Sequence, residues 1–229
     1  MNQFVALEKN PYENVHEYVY RVLHYNLLNM NLHPGMGISE KEISDRLSAS
    51  RTPIREAFIR LARMGLLEIL PQRGTYVSKL SIEQINEFRF LRLTLEEAVM
   101  GLACESFPAE FMKRLEECLS KQEKICEKQD CEAFFTLDNE MHSLIFTGCA
   151  KSRIWTIVRE ANVDYIRARV LDLSAVKLEM ENLFRQHQGI IQAIRNKDIQ
   201  RGKKIIHWHV NKVLSDIEKI QKEYPDYFR

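Results

Sequence analysis

The chain has 229 residues, with 33 lysines and arginines against 32 aspartates and glutamates, 45 % hydrophobic residues and 28 % charged ones, a balance that supplies a real apolar core and excludes a disordered chain. No run reaches the ~18 consecutive apolar residues of a membrane span, and the opening MNQFVALEKN has neither the basic start nor the apolar stretch of a secretory signal. The five cysteines, odd in number and without a C-x-x-C pair, suit reduced thiols in a cytoplasm rather than a disulfide framework, so the expected setting is cytoplasmic, with no membrane partner.

Residues 12–30 predict a helix, with Val15, Tyr18, Val19, Val22, Leu23 and Leu27 on one side. His33-Pro34-Gly35 breaks it. Ser39 is the expected N-cap of a short helix over 40–47, with Glu42 three residues on completing a capping box. A third helix is expected over 51–64: Thr52-Pro53 puts proline in its first turn, and Gly65 stands at its C′ position. The period then changes to two short β-like runs, Leu66 to Leu70 and Thr75 to Ser78, around the turn Pro71-Gln72-Arg73-Gly74. Everything beyond Ser81 reads as helix, over 82–105, 109–128, 131–148, 152–171, 176–196 and 199–222. The expected fold class is mainly α: an N-terminal winged helix-turn-helix of three helices and a β-hairpin over residues 1–80, joined to an all-α helical bundle over residues 81–229.

Net charge is only +1, yet Arg46, Arg51, Arg55, Arg60, Arg63 and Arg73 cluster in one stretch that holds only Glu56 and Glu68 as acids after its start. A local basic patch in a neutral chain fits a polyanion-binding module; a solvated helix face would carry the same charge. The order helix, helix, helix, hairpin favours the module. Its recognition helix, 51–64, can enter a major groove about 12 Å wide while Arg73-Gly74 at the wing tip reaches the adjacent minor groove. Arg51 and Arg55 lie one turn apart at the N-terminal end of that helix, toward base edges. The Ser50 and Thr52 hydroxyls and the free backbone N–H groups there suit phosphates.

The string SRTPIREAFIRLARMGLLEILPQRGTYV resembles the signature of the GntR superfamily of bacterial regulators, an S-R-x-x-v-R-e-A-l-x-x-L-x-x-x-G-l stretch followed by a p-x-x-G-x-x-V wing. PGMGISEKEISDRL resembles the segment that precedes it, so the likeness covers about residues 12–80. It implies binding of double-stranded operator DNA through Lys41, Arg51, Arg55, Arg73 and Gly74. The pattern departs at Ser48-Ala49, where the family has Gly-Val. That glycine takes a left-handed turn, so Ser48 is expected to carry strain or to shift the turn.

Projected at ~100° per residue, His187 falls inside the stripe Leu183, Ile190, Ile191, Ile194, and His209 inside Ile205, Ile206, Val213, Ile220. Asp138 and His142, one turn apart, flank Phe134, Ile145 and Cys149. Each of the four, taken singly, reads as readily as a hydrogen-bonded core residue. Together they are costly to bury unless paired or bound to a metal. Three imidazoles and one carboxylate suit Zn²⁺ or Ni²⁺ first, with Mn²⁺ or Fe²⁺ also accommodated. Arg92 falls in the stripe Ile85, Phe88, Leu95, Val99. Its fork can pair with Glu96 one turn on, or grip the carboxylate of a small organic acid whose other oxygen meets the metal. Asn162, Tyr165 and Arg169 share one side of the helix expected over 152–171 and are candidates to line the same effector cavity.

The order Arg92/Glu96, Asp138/His142, His187 ahead of Ile190-Ile191-Gln192-Ala193-Ile194, and finally His209 resembles the FCD subgroup of GntR regulators, with Met141 where phenylalanine is usual. The resemblance implies a repressor: a homodimer holding palindromic half-sites about one helical turn apart, its operator affinity controlled by a small carboxylate effector beside the metal. Two other readings stand beside it. One is a regulator whose metal is purely structural. The other is a metal-dependent hydrolase, against which no general base distinct from the ligands stands out, so no catalytic residue is expected.

Overall fold

The computed structural model describes the backbone of residues 4–161, 163–171 and 173–229 and all their side chains but those of 173–179 and 213–216. The elements run α1 (Val15–Leu28), β1 (Gly37–Ile38), α2 (Glu40–Leu47), α3 (Arg51–Arg63), β2 (Leu67–Leu70), β3 (Gly74–Val77), α4 (Ile82–Glu105), α5 (Ala109–Lys128), α6 (Cys131–Gly148), α7 (Ser152–Glu160), α8 (Val163–Leu171), α9 (Leu173–Arg195) and α10 (Ile199–Glu223), closed by a turn of 3₁₀-helix. The chain is mainly helical and forms two compact units. One is Met1–Gln84 with Val163–Leu171 and Lys219–Arg229; the other is Ile85–Asn162 with Asp172–Glu218.

In the first unit, Val19, Val22, Leu23 and Leu27 of α1 pack with Ile43 and Leu47 of α2 and with Ile54, Phe58 and Leu61 of α3. Burial of each such side chain contributes roughly 1.5–3 kcal/mol. Asn14 starts α1 by accepting the Glu17 N–H at 2.9 Å, and Ser39 starts α2 by accepting the Glu42 N–H at 3.1 Å. Glu42 turns its own carboxylate to Arg46, one turn on, at 3.1 Å rather than back to the cap, so only half of the expected capping box forms. Ser48 ends α2 in the left-handed region, at φ 49° and ψ 39°. The tight turn is kept and the strain is borne by a residue with a Cβ. Gly65, at φ +76°, closes α3 while the Leu66 N–H reaches the Leu61 carbonyl at 3.0 Å, the Schellman arrangement that satisfies a terminal carbonyl.

The sheet has three strands, not the hairpin alone: β1 and β2 both pair antiparallel with the central β3, Ile38 opposite Thr75 and Leu67 opposite Val77. At the wing tip the Arg73 N–H bonds the Leu70 carbonyl at 3.1 Å. Gly74 sits there at φ +109°, a conformation that a Cβ disfavours.

The sequence pattern predicts a single helix over 152–171, but the chain forms two, α7 and α8. The apolar wheel runs through both, yet α7 buries Trp155 and Val158 whereas α8 buries Tyr165 and Ala168 in the first unit. Within that unit Asp164 accepts the Ser81 N–H at 3.0 Å, and Arg167 donates to the Ser78 carbonyl at 2.7 Å and pairs with Asp164 at 3.3 Å. Arg167 is fully buried; burial pulls its guanidinium below the ordinary value, and Asp164 opposes that pull. The C-terminal residues grip the same stretch, with Leu80 N–H on the Tyr227 carbonyl at 2.9 Å and Arg229 N–H on the Leu80 carbonyl at 3.0 Å.

The second unit is all helical. Its α5 packs on α6 and α9, and α6 packs on α7. None of the described helices is long and apolar enough to cross a membrane, and all five cysteines are free thiols.

Candidate functional site

Asp138 and His142 project from successive turns of α6, His187 from α9 and His209 from α10. All four are buried, none more than 5 % exposed. One ligand atom from each lies within 4.8 Å of all the others. The His187 Nε2 stands 3.2 Å from Asp138 Oδ1, the His209 Nε2 3.6 Å and the His142 Nε2 3.9 Å. The sequence stripes therefore converge on one point, and the groups they bring there are of metal-ligand type.

A second set of residues holds the far nitrogen of every ring. Nδ1 of His142 faces Glu96 Oε2 at 3.0 Å, Nδ1 of His187 faces Gln122 Oε1 at 2.7 Å, and Nδ1 of His209 faces Gln186 Oε1 at 3.0 Å. The two amide oxygens can only accept, so Nδ1 of His187 and Nδ1 of His209 donate and their Nε2 atoms turn a lone pair toward the common point. His142 Nδ1 lies beside Glu96 Oε2 without the alignment of a hydrogen bond. Phe134 stacks on His187 and Trp155 on His142, both with centroids 5.8 Å apart, which fixes the ring planes. Burial drives His209 down to about 3, so it is neutral at physiological pH.

Arg92, 2 % exposed, pairs through Nε with Glu96 Oε1 at 2.5 Å, so a chain of contacts runs Arg92–Glu96–His142. Burial alone would raise the Glu96 carboxyl; Arg92 and His142 outweigh it and hold it down at about 2. Neither Gln122 nor Gln186 was singled out from sequence. Gln122 did carry a signal, since it interrupts the buried stripe of Leu115 and Cys118 on α5. His207 and Trp208, flanking His209, are exposed, and His207 pairs with Glu97 at 2.9 Å.

Of the other residues expected to line an effector cavity, Tyr165 and Arg169 lie on α8 in the first unit. Tyr165 is 2 % exposed there, with the Arg169 guanidinium 5.8 Å above its ring. Asn162 lies outside the described residues.

At the other candidate site, α3 opens at Ser50 with no side-chain cap bond, Arg51 and Thr52 in its exposed first turn. Its leading N–H groups and positive dipole end are thus not covered by a cap. Lys41 is exposed in the first turn of α2, and Arg73 and Gly74 are exposed at the wing tip. Arg55, its side chain 66 % exposed, is forked onto Glu40: Nε to Oε1 at 2.8 Å and Nη2 to Oε2 at 3.0 Å. Arg60 reaches Glu17 of α1 at 3.3 Å and lies 3.6 Å over the Tyr20 ring, so it braces α3 on α1.

Residues 16–77 match the model of the bacterial regulatory proteins of the gntR family, and residues 87–212 match the FCD domain. The HTH-type transcriptional repressor RspR of Escherichia coli strain K12 is 32 % identical over 224 residues, 98 % of each chain. An HTH-type transcriptional regulator in an unstable DNA locus of Streptomyces ambofaciens is 30 % identical over 92 % of this chain and 88 % of that one. Among solved structures, E. coli McbR/YncC superposes with a TM-score of 0.75 at 20 % identity, covering 90 % of this chain and 98 % of that one. A GntR regulator from Rhodococcus sp. RHA1 superposes with a TM-score of 0.70 at 19 % identity, over 89 % and 97 %. These two share the fold. The matched families and relatives are transcriptional regulators, not enzymes. The chain belongs to the GntR family of bacterial transcriptional regulators, its winged helix-turn-helix followed by an FCD domain.

Proposed function

We propose that the chain is an effector-controlled, cytoplasmic repressor. It grips operator DNA through Lys41, Ser50, Arg51, Thr52, Arg55, Arg73 and Gly74, and it holds a divalent transition ion at Asp138, His142, His187 and His209. The observation that carries the metal half is the convergence of three imidazoles and a carboxylate within 4.8 Å of one another, with Nδ1 of His187 and of His209 tied off on amide oxygens so that ring lone pairs face the carboxylate. A cation turns that repulsion into bonding, and second residues holding the far ring nitrogen are what metal-binding histidines have. The donor set favours Zn²⁺ or Ni²⁺ and accommodates Mn²⁺ or Fe²⁺.

The bound ion supplies a coordination point for a carboxylate oxygen, so a small organic acid is the effector class. Arg92, linked to the cluster through Glu96 and His142, supplies the positive charge beside it. DNA binding is read from the uncapped N-terminus of α3 with its arginines, and repression from the E. coli relative's name. Two heads on a palindromic site require a two-fold dimer. The effector changes DNA affinity only by as much as its own affinity differs between the two arrangements of that dimer.

The test is native mass spectrometry of full-length protein purified without chelator, followed by DNA titration with and without a panel of small organic acids. One ion per chain and a DNA affinity that responds to an acid support the reading. A folded chain without an ion refutes the metal, and a metal-loaded chain indifferent to every acid leaves a purely structural ion. Arg92→Ala is expected to keep the ion and lose the response. Arg51→Ala is expected to lose specific binding, while wild-type binding falls steeply with salt as phosphate contacts release counterions.

A further inference from the structure

The four-residue cluster and the arginines of α3 do not account for Glu40. An acid in the first turn of α2 suits the helix dipole, but a dipole does not explain a two-pronged grip on an arginine of the next helix. Glu40 takes the side-on edge of the Arg55 guanidinium, Nε at 2.8 Å and Nη2 at 3.0 Å. A guanidinium is a rigid plane with five N–H donors. With Nε–H and one Nη2–H spent, the opposite edge keeps both Nη1 hydrogens and the second Nη2 hydrogen. That edge is the two-donor fork that fits O6 and N7 of guanine in a major groove.

Resting on the DNA-binding reading above, we infer that Glu40 is a positioning and specificity residue: it fixes the Arg55 side chain so that its end-on fork meets one base pair, and it keeps that side chain off the phosphates. Two physical effects act together. A long exposed arginine loses rotamer freedom on binding, and the fork on Glu40 removes part of that loss beforehand. A fixed carboxylate also repels phosphate oxygens, so Arg55 does not settle as a sequence-blind backbone contact. Hydrogen bonds from Arg55, with Arg51 nearby, hold the Glu40 carboxyl below the usual carboxylate range, and it stays ionised at neutral pH. Glu40 is itself only partly exposed, 29 % at its side chain, against 66 % for Arg55. The acid is anchored and the arginine is presented.

The experiment uses full-length protein and duplexes that the wild type selects from a random pool. The base pair that Arg55 reads is the one whose replacement weakens the wild type but not Arg55→Ala. At that pair Glu40→Gln is expected to discriminate about tenfold less than the wild type, while every other pair keeps its discrimination and the melting temperature falls by no more than about 4 °C. In the Arg55→Ala background Glu40→Gln is expected to change nothing further at that pair. Wild-type discrimination by Glu40→Gln at that pair overturns the inference, and so does an Arg55→Ala protein that still discriminates at every pair. A wild-type chain that selects no sequence defeats the DNA-binding reading beneath it, an outcome distinct from both.

Discussion

His142 Nε2 lies 3.1 Å from His209 Nε2, a distance at which two ring nitrogens must share a proton or a cation. His209 gives its Nδ1 hydrogen to Gln186 at 3.0 Å, so its Nε2 has no hydrogen left unless the ring becomes an imidazolium. Burial pushes His209 down to about 3 and opposes that second proton. The cation alternative also explains why Asp138, with no exposed surface, stands in the same place.

Metal removal follows from this contact. An ion bound to the folded chain at about a thousand times its Kd stabilises it by about 4 kcal/mol, roughly 8–16 °C of melting temperature for a chain of this size. Chelator treatment is expected to lower the melting temperature of the second unit by that order. His187→Ala is expected to melt near the chelated wild type and to ignore chelator. A His187→Ala protein with full metal content places the ion elsewhere.

Gln122 is expected to act on affinity and not on stoichiometry. Its Oε1 accepts the His187 Nδ1 hydrogen at 2.7 Å. Without it the ring can turn, or move its proton to Nε2 and lose the lone pair that faces Asp138. Gln122→Ala is expected to weaken metal binding about 10–100-fold while still filling one site per chain in excess metal. Competition against a coloured chelator measures it, and unchanged affinity would reduce Gln122 to core packing.

The four clustered residues were legible because each is an ionisable group inside an apolar helical stripe, and a stripe predicts burial. The helix over 40–47 was legible from a local signal, since Ser39 is an N-cap residue and accepts the Glu42 N–H as expected. What was not legible depends on partners far along the chain. Gln122 shows only as an interruption of the Leu115 and Cys118 stripe, and Gln186, like it, is a neutral amide with no charge to demand an account. The α7–α8 break was hidden because the apolar wheel continues across it, and only tertiary structure shows that α8 folds with the first unit. The Glu40–Arg55 fork spans the turn between α2 and α3, where wheel arguments do not reach.

Ser48 offers a test of backbone strain. It holds φ 49° and ψ 39°, where a residue with a Cβ costs about 1–2 kcal/mol. Glycine removes that cost but loses about 0.5–1 kcal/mol in unfolded-chain entropy. Ser48→Gly is expected to stabilise the first unit by up to about 1 kcal/mol. Ser48→Val, β-branched in the same turn, is expected to destabilise it by more. Urea unfolding of both variants measures the sign, and a Ser48→Gly chain less stable than wild type would show that the serine side chain outweighs the strain.

The buried pair of Arg167 and Asp164 makes the sharpest stability prediction, because its two members have unequal roles. Arg167 donates to the Ser78 carbonyl and to Asp164, whereas Asp164 also accepts the Ser81 N–H. Arg167→Met fills much of the volume but leaves the Asp164 charge buried beside an unanswered carbonyl, a loss of about 3–5 kcal/mol. Adding Asp164→Asn removes the charge while its side-chain oxygen can still accept the Ser81 N–H. The double variant is then left with about 1–2 kcal/mol for the lost bond to Ser78. Urea unfolding of the first unit is therefore expected to show the double variant more stable than Arg167→Met alone. Additive losses would mean that the two residues act independently, and that Arg167 holds the Ser78–Ser81 stretch through the carbonyl only.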